Sequence, residues 1–279
     1  MTRTIVGVDN YSYHRYLGEV RPGERATGEA TWPWPWTLTA AAAAGADAIA
    51  LETCFMTPGE CRMTLPAVPD VDCMLSWGHP YGLEYGESVE ALEDALAWLA
   101  LASELGHRRM RVTIAHPHLR ESDGWSQVRR SVASVARLAE AAAASSVRLG
   151  IENHADVTSE QLAWILAEVD SPALGVCFDT ANAVRVGDDP LRAAEALADH
   201  VIAAHVKDVA ADPWHPRSGP RSVPLGTGVL PIASILDVLH RARPDAWYLV
   251  ELAQLGDHEV DEQAWIARDV GWLRECLSA

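Results

Sequence analysis

Leu149-Gly150-Ile151-Glu152-Asn153-His154 is an apolar run that ends on a carboxylate. Similar runs follow at Val176-Cys177-Phe178-Asp179-Thr180-Ala181-Asn182, Ala203-Ala204-His205-Val206-Lys207-Asp208 and Tyr248-Leu249-Val250-Glu251-Leu252. Each is short, and several are apolar on both faces. That is the signature of a parallel strand covered by helices on either side.

Working outward, these runs define strands over Val147–Glu152, Leu174–Asp179, Val201–His205 and Trp247–Glu251. Four more are predicted upstream, at Thr4–Val8, Ala48–Glu52, Val71–Trp77 and Met110–Ala115. Helical periodicity fills the intervals: Ser88–Leu105, Ser126–Ala144, Val157–Val169, Pro190–Leu197, Ile232–Ala242 and Val260–Leu277. A short or irregular helix is expected within Pro58–Leu65, and the alanine runs Ala40–Ala44 and Ala141–Ala144 read as close-packed helix faces. Asp188-Asp189 before Pro190 is a start signal, and Gly106 a stop. Eight βα units in a chain of 279 residues predict an α/β fold, a (β/α)8 TIM barrel, as one domain over 1–279. A doubly wound open sheet is the alternative. It normally carries a glycine-rich turn after its first strand, where this chain has Asp9-Asn10-Tyr11-Ser12-Tyr13.

In such a barrel the active site forms at the C-terminal ends of the strands. Glu152, Asp179, His205 and Glu251 would therefore converge. One acid at a strand end is commonly a cap or a salt-bridge partner. Three carboxylates and an imidazole closing four successive strands would instead repel one another without a counter-cation. The set predicts one divalent metal, with Mn²⁺ first and Mg²⁺, Co²⁺ or Zn²⁺ as alternatives; a closed structural zinc site would favour Cys and His.

The order Glu152, Asp179-Thr180-x-Asn182, His205-x-Lys207-Asp208, Glu251 resembles the xylose-isomerase-like TIM-barrel superfamily. Within it the chain is similar to the sugar phosphate isomerase/epimerase family of ketose 3-epimerases, hydroxypyruvate isomerases and inosose isomerases. Gly150-Ile151-Glu152-Asn153-His154, His205-Val206-Lys207-Asp208 and Pro224-Leu225-Gly226-x-Gly228 carry the resemblance. It implies that Glu152, Asp179, His205 and Glu251 bind one metal, and that Glu152 and Glu251 are the catalytic acid and base. A metal chelated by a hydroxyl–carbonyl pair acidifies the adjacent C–H, so the expected route is proton transfer through an enediolate. One position departs from the epimerases. They carry a histidine three residues after the metal aspartate, where this chain has Asn182. A DNA-repair relative, endonuclease IV, uses a histidine there in a zinc cluster, so Asn182 argues against that activity.

Side chains two apart on a strand share a face. His154 and Lys207 are therefore expected beside Glu152 and His205 as substrate-binding groups, with Asn182 next to them. Asp208 is expected to point away and act as a cap. His79, His116 and His118, after the third and fourth strands, are further substrate-binding candidates. Arg217 and Arg221 could meet a phosphate or carboxylate, although loops also carry arginines for solubility. The run Thr31-Trp32-Pro33-Trp34-Pro35-Trp36 is stiff and lies on the active-site side. Trp36 is expected either to line the substrate site or to pack on the rim or a second subunit, which leaves a homo-oligomer open.

Composition sets the outer bounds. Hydrophobic residues make up 49% and charged ones 22%, which excludes a disordered chain. With 22 basic and 39 acidic side chains, the net charge of −17 disfavours nucleic acid and anionic membranes as partners. No apolar run has membrane-spanning length, no secretory pattern precedes Ile5, and the five cysteines form no CxxC pair. A cytoplasmic enzyme is expected, acting on a small carbohydrate or glycoside-like substrate. Three functions stay open: an isomerase or epimerase, a lyase eliminating a group β to the carbonyl, and a non-catalytic sugar-binding barrel.

Overall fold

The computed structural model describes residues 3–27, 31–67, 72–121, 124–211, 220–257 and 260–278. Eight parallel strands close into a barrel: β1 (Ile5–Asp9), β2 (Ala48–Glu52), β3 (Asp72–Ser76), β4 (Arg109–Val112), β5 (Arg148–Glu152), β6 (Leu174–Asp179), β7 (Val201–Val206) and β8 (Trp247–Val250). Each strand pairs with its sequence neighbour, and β8 closes on β1 with Trp247 opposite Ile5. The helices that follow are α1 (Trp36–Ala43), α2 (Pro58–Thr64), α3 (Val89–Glu104), α4 (Gly124–Ala144), α5 (Ser159–Val169), α6 (Asn182–Arg185), α7 (Pro190–Leu197), α8 (Ile232–Ala242) and α9 (Glu262–Cys276). The fold class is the one expected. No described helix is long and apolar enough to cross a membrane.

Local chemistry sets the helix starts. Thr158 and Gln161 form a reciprocal capping box at α5, and Thr57 with Glu60 does the same at the short α2. Asp189 accepts from the backbone N–H groups of Leu191 and Arg192, with Pro190 at the first helical position of α7. Strand β4 ends at Val112, short of the predicted Ala115. Its continuation is drawn off by other partners. Leu83 N donates to Thr113 O, Tyr85 N to Ile114 O, and Ala115 N to the Asp156 carboxylate.

Two apolar layers result. The larger lies between the strands and the surrounding helices, with Val6, Ile49, Leu75, Val112, Ile151 and Phe178 on the outward faces. The smaller fills the barrel interior with Ala48, Ala50, Met74, Cys177, Ile202, Ala203, Trp247 and Leu249. Glycines make room for the large members. A Cβ on Gly7 would lie 2.3 Å from the Ala48 carbonyl oxygen and 2.7 Å from Leu249 Cδ2. Because the first of these atoms is backbone, β2 itself would have to move. Gly7→Ala is expected to cost about 1–3 kcal/mol, read as a lower urea midpoint. An unchanged midpoint would show that the interior has slack.

The interior register places the chemistry. Gly7, Ala50, Gly150, Cys177, Ala203 and Leu249 each precede a polar residue by two positions: Asp9, Glu52, Glu152, Asp179, His205 and Glu251. A strand repeats its facing every second residue, so all six polar groups point inward one layer above the apolar plug. They are all buried.

Candidate active site

At the C-terminal ends of β5, β6, β7 and β8, Glu152, Asp179, His205 and Glu251 come together. One ligand-type atom from each lies within 4.8 Å of those of the other three. Asp179 and His205 are directly opposite each other on paired strands. The β6 carboxylate is fixed by its own turn: Asp179 Oδ1 accepts from Ala181 N at 2.8 Å and Asn182 N at 2.9 Å. Asn153 clamps the same segment, accepting from Asp179 N at 2.6 Å and donating to Asp179 O at 2.9 Å.

His205 is oriented from both sides. Its Nε2 lies 3.2 Å from Asp9 Oδ2, whereas its Nδ1 faces Glu251 Oε2 at 2.9 Å and Glu152 Oε1 at 3.8 Å. A carboxylate behind an imidazole favours the proton on the nitrogen it faces and leaves the other as a ligand. Here a carboxylate faces each nitrogen, Asp9 at Nε2 and Glu251 at Nδ1, so the ring is held between them.

Two permanent cations flank the cluster. Lys207 Nζ lies 2.6 Å from Asp179 Oδ2 and 3.0 Å from Glu251 Oε1. Arg111, from β4, pairs with Glu52 on one side and places Nε 2.9 Å from Glu152 Oε2 on the other. Burial opposes ionisation of every acid here, and the neighbours decide the outcome. Arg111 and His154 hold Glu152 well below the usual carboxylate range, and Lys207 and His205 do the same for Glu251. Burial wins at Asp9 and Asp179, raising each to about 6, and at Glu52, which is pushed well up despite Arg111.

The cluster suits a divalent cation. Among the described residues, five buried carboxylates (Asp9, Glu52, Glu152, Asp179 and Glu251) have Arg111 and Lys207 as the permanent buried cations in ion-pair contact. Buried charge needs compensation, and this cluster is under-compensated. Glu152 Oε2, Asp179 Oδ2, Glu251 Oε2 and both His205 ring nitrogens are buried without a well-directed hydrogen bond. Three carboxylates and one imidazole suit a hard or borderline divalent ion.

Residues 38–276 match the family model described as xylose isomerase-like TIM barrel. The chain belongs to the xylose isomerase-like TIM-barrel family. It is similar to a structure of L-ribulose 3-epimerase, with a TM-score of 0.74, 18% identity, and coverage of 99% of this chain and 95% of that one. It is also similar to the probable 3-DHS dehydratase AsbF of Bacillus anthracis, with a TM-score of 0.69, 15% identity, and coverage of 98% and 99%. At those identities the likeness is one of fold. Among curated proteins, 65 residues are 34% identical to the 3-oxo-isoapionate decarboxylase of Pectobacterium atrosepticum, covering 23% of this chain and 24% of the decarboxylase. The match thus spans about a quarter of that relative's length.

Above the cluster of this family member opens a cavity of about 350 Å³, the size for a monosaccharide-scale ligand. Its walls include Glu152, Glu251, His154, Asn182, Lys207, His79 and His116. Asn182 Nδ2 donates to Glu152 Oε1 at 3.3 Å. His154 is held low, at about 4, chiefly by burial. Asp208 turns away and accepts from the backbone N–H groups of Gly226, Gly228 and Leu230, which pins the Pro224–Gly228 turn.

Other sequence-predicted residues fall elsewhere. His118 is exposed and contacts His116 and Tyr81 rather than the cavity wall. Trp36 opens α1 and packs against Tyr13, Tyr16 and Trp32, on the rim. Arg217 lies outside the described residues.

Sequence reading passed over Asp9, Glu52 and Arg111. The first two carried the same signal as the four ligand candidates, a carboxylate closing an apolar run. Arg111 carried a fainter one, a charge between Met110 and Val112 with the facing of the barrel interior. Tyr11, Arg21 and Arg185 also line the cavity, from loops whose course no local pattern specified.

Proposed function

We propose that this chain is a divalent-metal-dependent isomerase or epimerase of sugars or keto-polyols. The observation that carries the reading is the convergence of Glu152, Asp179, His205 and Glu251, two of which, Glu152 and Glu251, line the cavity. Those four residues would hold the cation, Mn²⁺ first by donor set, which polarises a substrate carbonyl and acidifies the neighbouring C–H. Glu152 and Glu251 are the acid–base pair. Each has one oxygen engaged by a cation, Arg111 for Glu152 and Lys207 for Glu251, which orients the carboxylate and keeps it ionised. One takes a proton from carbon, and the other, once protonated from solvent, delivers a proton to the opposite face or to the adjacent carbon. Lys207 supplies a charged donor for the oxygen on which charge develops, and Asn182 and His154 position hydroxyls. Buried thiols at Cys61, Cys73 and Cys177 support a cytoplasmic setting as part of this reading.

A lyase is the second reading. His79, His116 and His154 line the same cavity and could protonate a leaving group β to the carbonyl after the same first proton transfer. The partial match to a decarboxylase and the fold likeness to a dehydratase keep it in play. Product analysis separates the two, because elimination yields an unsaturated ketone and epimerisation does not.

The test is incubation of Mn²⁺-loaded protein with a panel of ketoses in D₂O. Deuterium should appear at the carbon next to the carbonyl. No incorporation with any of them would sink the isomerase reading. Metal binding is tested separately by melting. At Mn²⁺ about a hundredfold above Kd, stabilisation should approach about 3 kcal/mol, a rise of roughly 5–10 °C that chelation reverses. A melting temperature indifferent to Mn²⁺ would remove the metal from the reading.

A further inference from the structure

We propose that the substrate carries a carboxylate, bound at the cavity mouth by Arg21 and Arg185. The inference rests on the cavity being a substrate site and adds the chemical class of the ligand.

In a chain with 39 acidic and 22 basic residues, an arginine readily finds an acid. Arg15, Arg62, Arg111 and Arg148 each pair with one. Among the described residues Arg21 and Arg185 form no such pair, and both line the cavity. Arg21 donates to the Ala253 carbonyl at 2.8 Å and lies over the Tyr11 ring, 5.8 Å from its centroid. Arg185 donates to Asn182 Oδ1 at 3.1 Å. Both contacts are with neutral groups. They fix the direction of each guanidinium, and no described carboxylate lies within ion-pair distance of either.

The two arginines come from opposite parts of the chain, the loop after β1 and the helix after β6, and meet at one opening. They also repel each other. Burial lowers Arg185, Asp179 opposes that shift and Arg21 adds to it, and both arginines disfavour protonated His116 at the same mouth. A half-buried pair of like charges with no carboxylate in ion-pair contact among the described residues gains from a bound anion.

A carboxylate suits the place better than a phosphate. Phosphate sites usually add a ring of backbone N–H groups at a glycine-rich turn or long helix start. Arg185 ends a helix of only four residues. Two planar forks instead offer the bidentate geometry that a carboxylate accepts. Asn182 links the two regions, donating to Glu152 and accepting from Arg185, so the acid end of the substrate would lie beside the proposed metal centre.

The probes are matched pairs: D-fructuronate against D-fructose and D-glucuronate against D-glucose, titrated calorimetrically into the full-length Mn²⁺-loaded protein. Each acid should bind at least roughly tenfold more tightly than its neutral partner, with an advantage that shrinks as salt is raised. Arg21→Met and Arg185→Met should each reduce that advantage, and the double variant should abolish it. Metal content should stay unchanged, and neutral-sugar binding should fall less than acid binding. Arg185→Lys should restore part of the advantage, as a point charge without the fork.

Equal binding of acid and neutral sugar, or no binding of either, would overturn the proposal. So would an acid preference that survives in the double variant, or tighter binding of D-fructose 6-phosphate than of D-fructuronate. Metal content and deuterium incorporation are read independently. An arginine-dependent acid preference without metal or exchange would sink the isomerase reading and leave this one standing.

Discussion

Glu152→Gln should lower the rate of deuterium exchange next to the substrate carbonyl by roughly 10²–10⁴-fold, the range for losing a positioned acid–base group. The substitution keeps the size of the side chain and its contact with Arg111, which lies 2.9 Å from Glu152 Oε2. It removes the proton-accepting charge. Glu251→Gln should behave alike, because its carboxylate is the second of the proposed pair. Circular dichroism and the thermal midpoint should show both variants folded. A Glu152→Gln protein exchanging within about tenfold of wild type would shift the base elsewhere, and His154 would be the next group to test.

The second large effect is one of stability. Arg111 is buried between Glu52 and Glu152 and neutralises both. Removing one partner of a buried ion pair leaves the other charge uncompensated, at a cost of about 3–5 kcal/mol. Here two acids would be stranded together. Arg111→Met should lower the thermal midpoint by roughly 6–20 °C. Adding Glu52→Gln should recover part of the loss, because it deletes the buried acid that stands beside Glu152. If the single variant melted with the wild type, Arg111 would not be balancing the cluster, and a bound cation or protonated Glu52 would have to do so instead.

Barrel and floor cluster were legible for a local reason. Strand runs such as Ala203-Ala204-His205 and Tyr248-Leu249-Val250-Glu251 carry period-two facing within the run itself, and the fold places their ends at one site. Asp9 and Glu52 were equally legible by that rule. They went unused because the four-strand series alone made a complete ligand set. Their position explains them: Asp9 stands behind His205 and Glu52 behind Arg111, one step further from the centre.

The walls were not legible. Trp36 sits on the rim because α1 begins there and its ring packs on Tyr13 and Tyr16, contacts that depend on the path of the loop after β1. That path is set from far away. Arg15 pairs with Glu262, and Glu24 accepts from Leu255 N. No window of sequence contains both ends of these bonds.

The sequence by itself thus determined the strand faces, the barrel they build and the acids and imidazole at its floor, because side-chain alternation is a property of a few consecutive residues. Tertiary structure alone decided which charges are answered and which are left over. Lys207 and Arg111 are committed to buried carboxylates, whereas Arg21 and Arg185 line the cavity with no ion pair among the described residues. Charge compensation is settled by distance in space, and the barrel brings together residues from ten to well over two hundred positions apart.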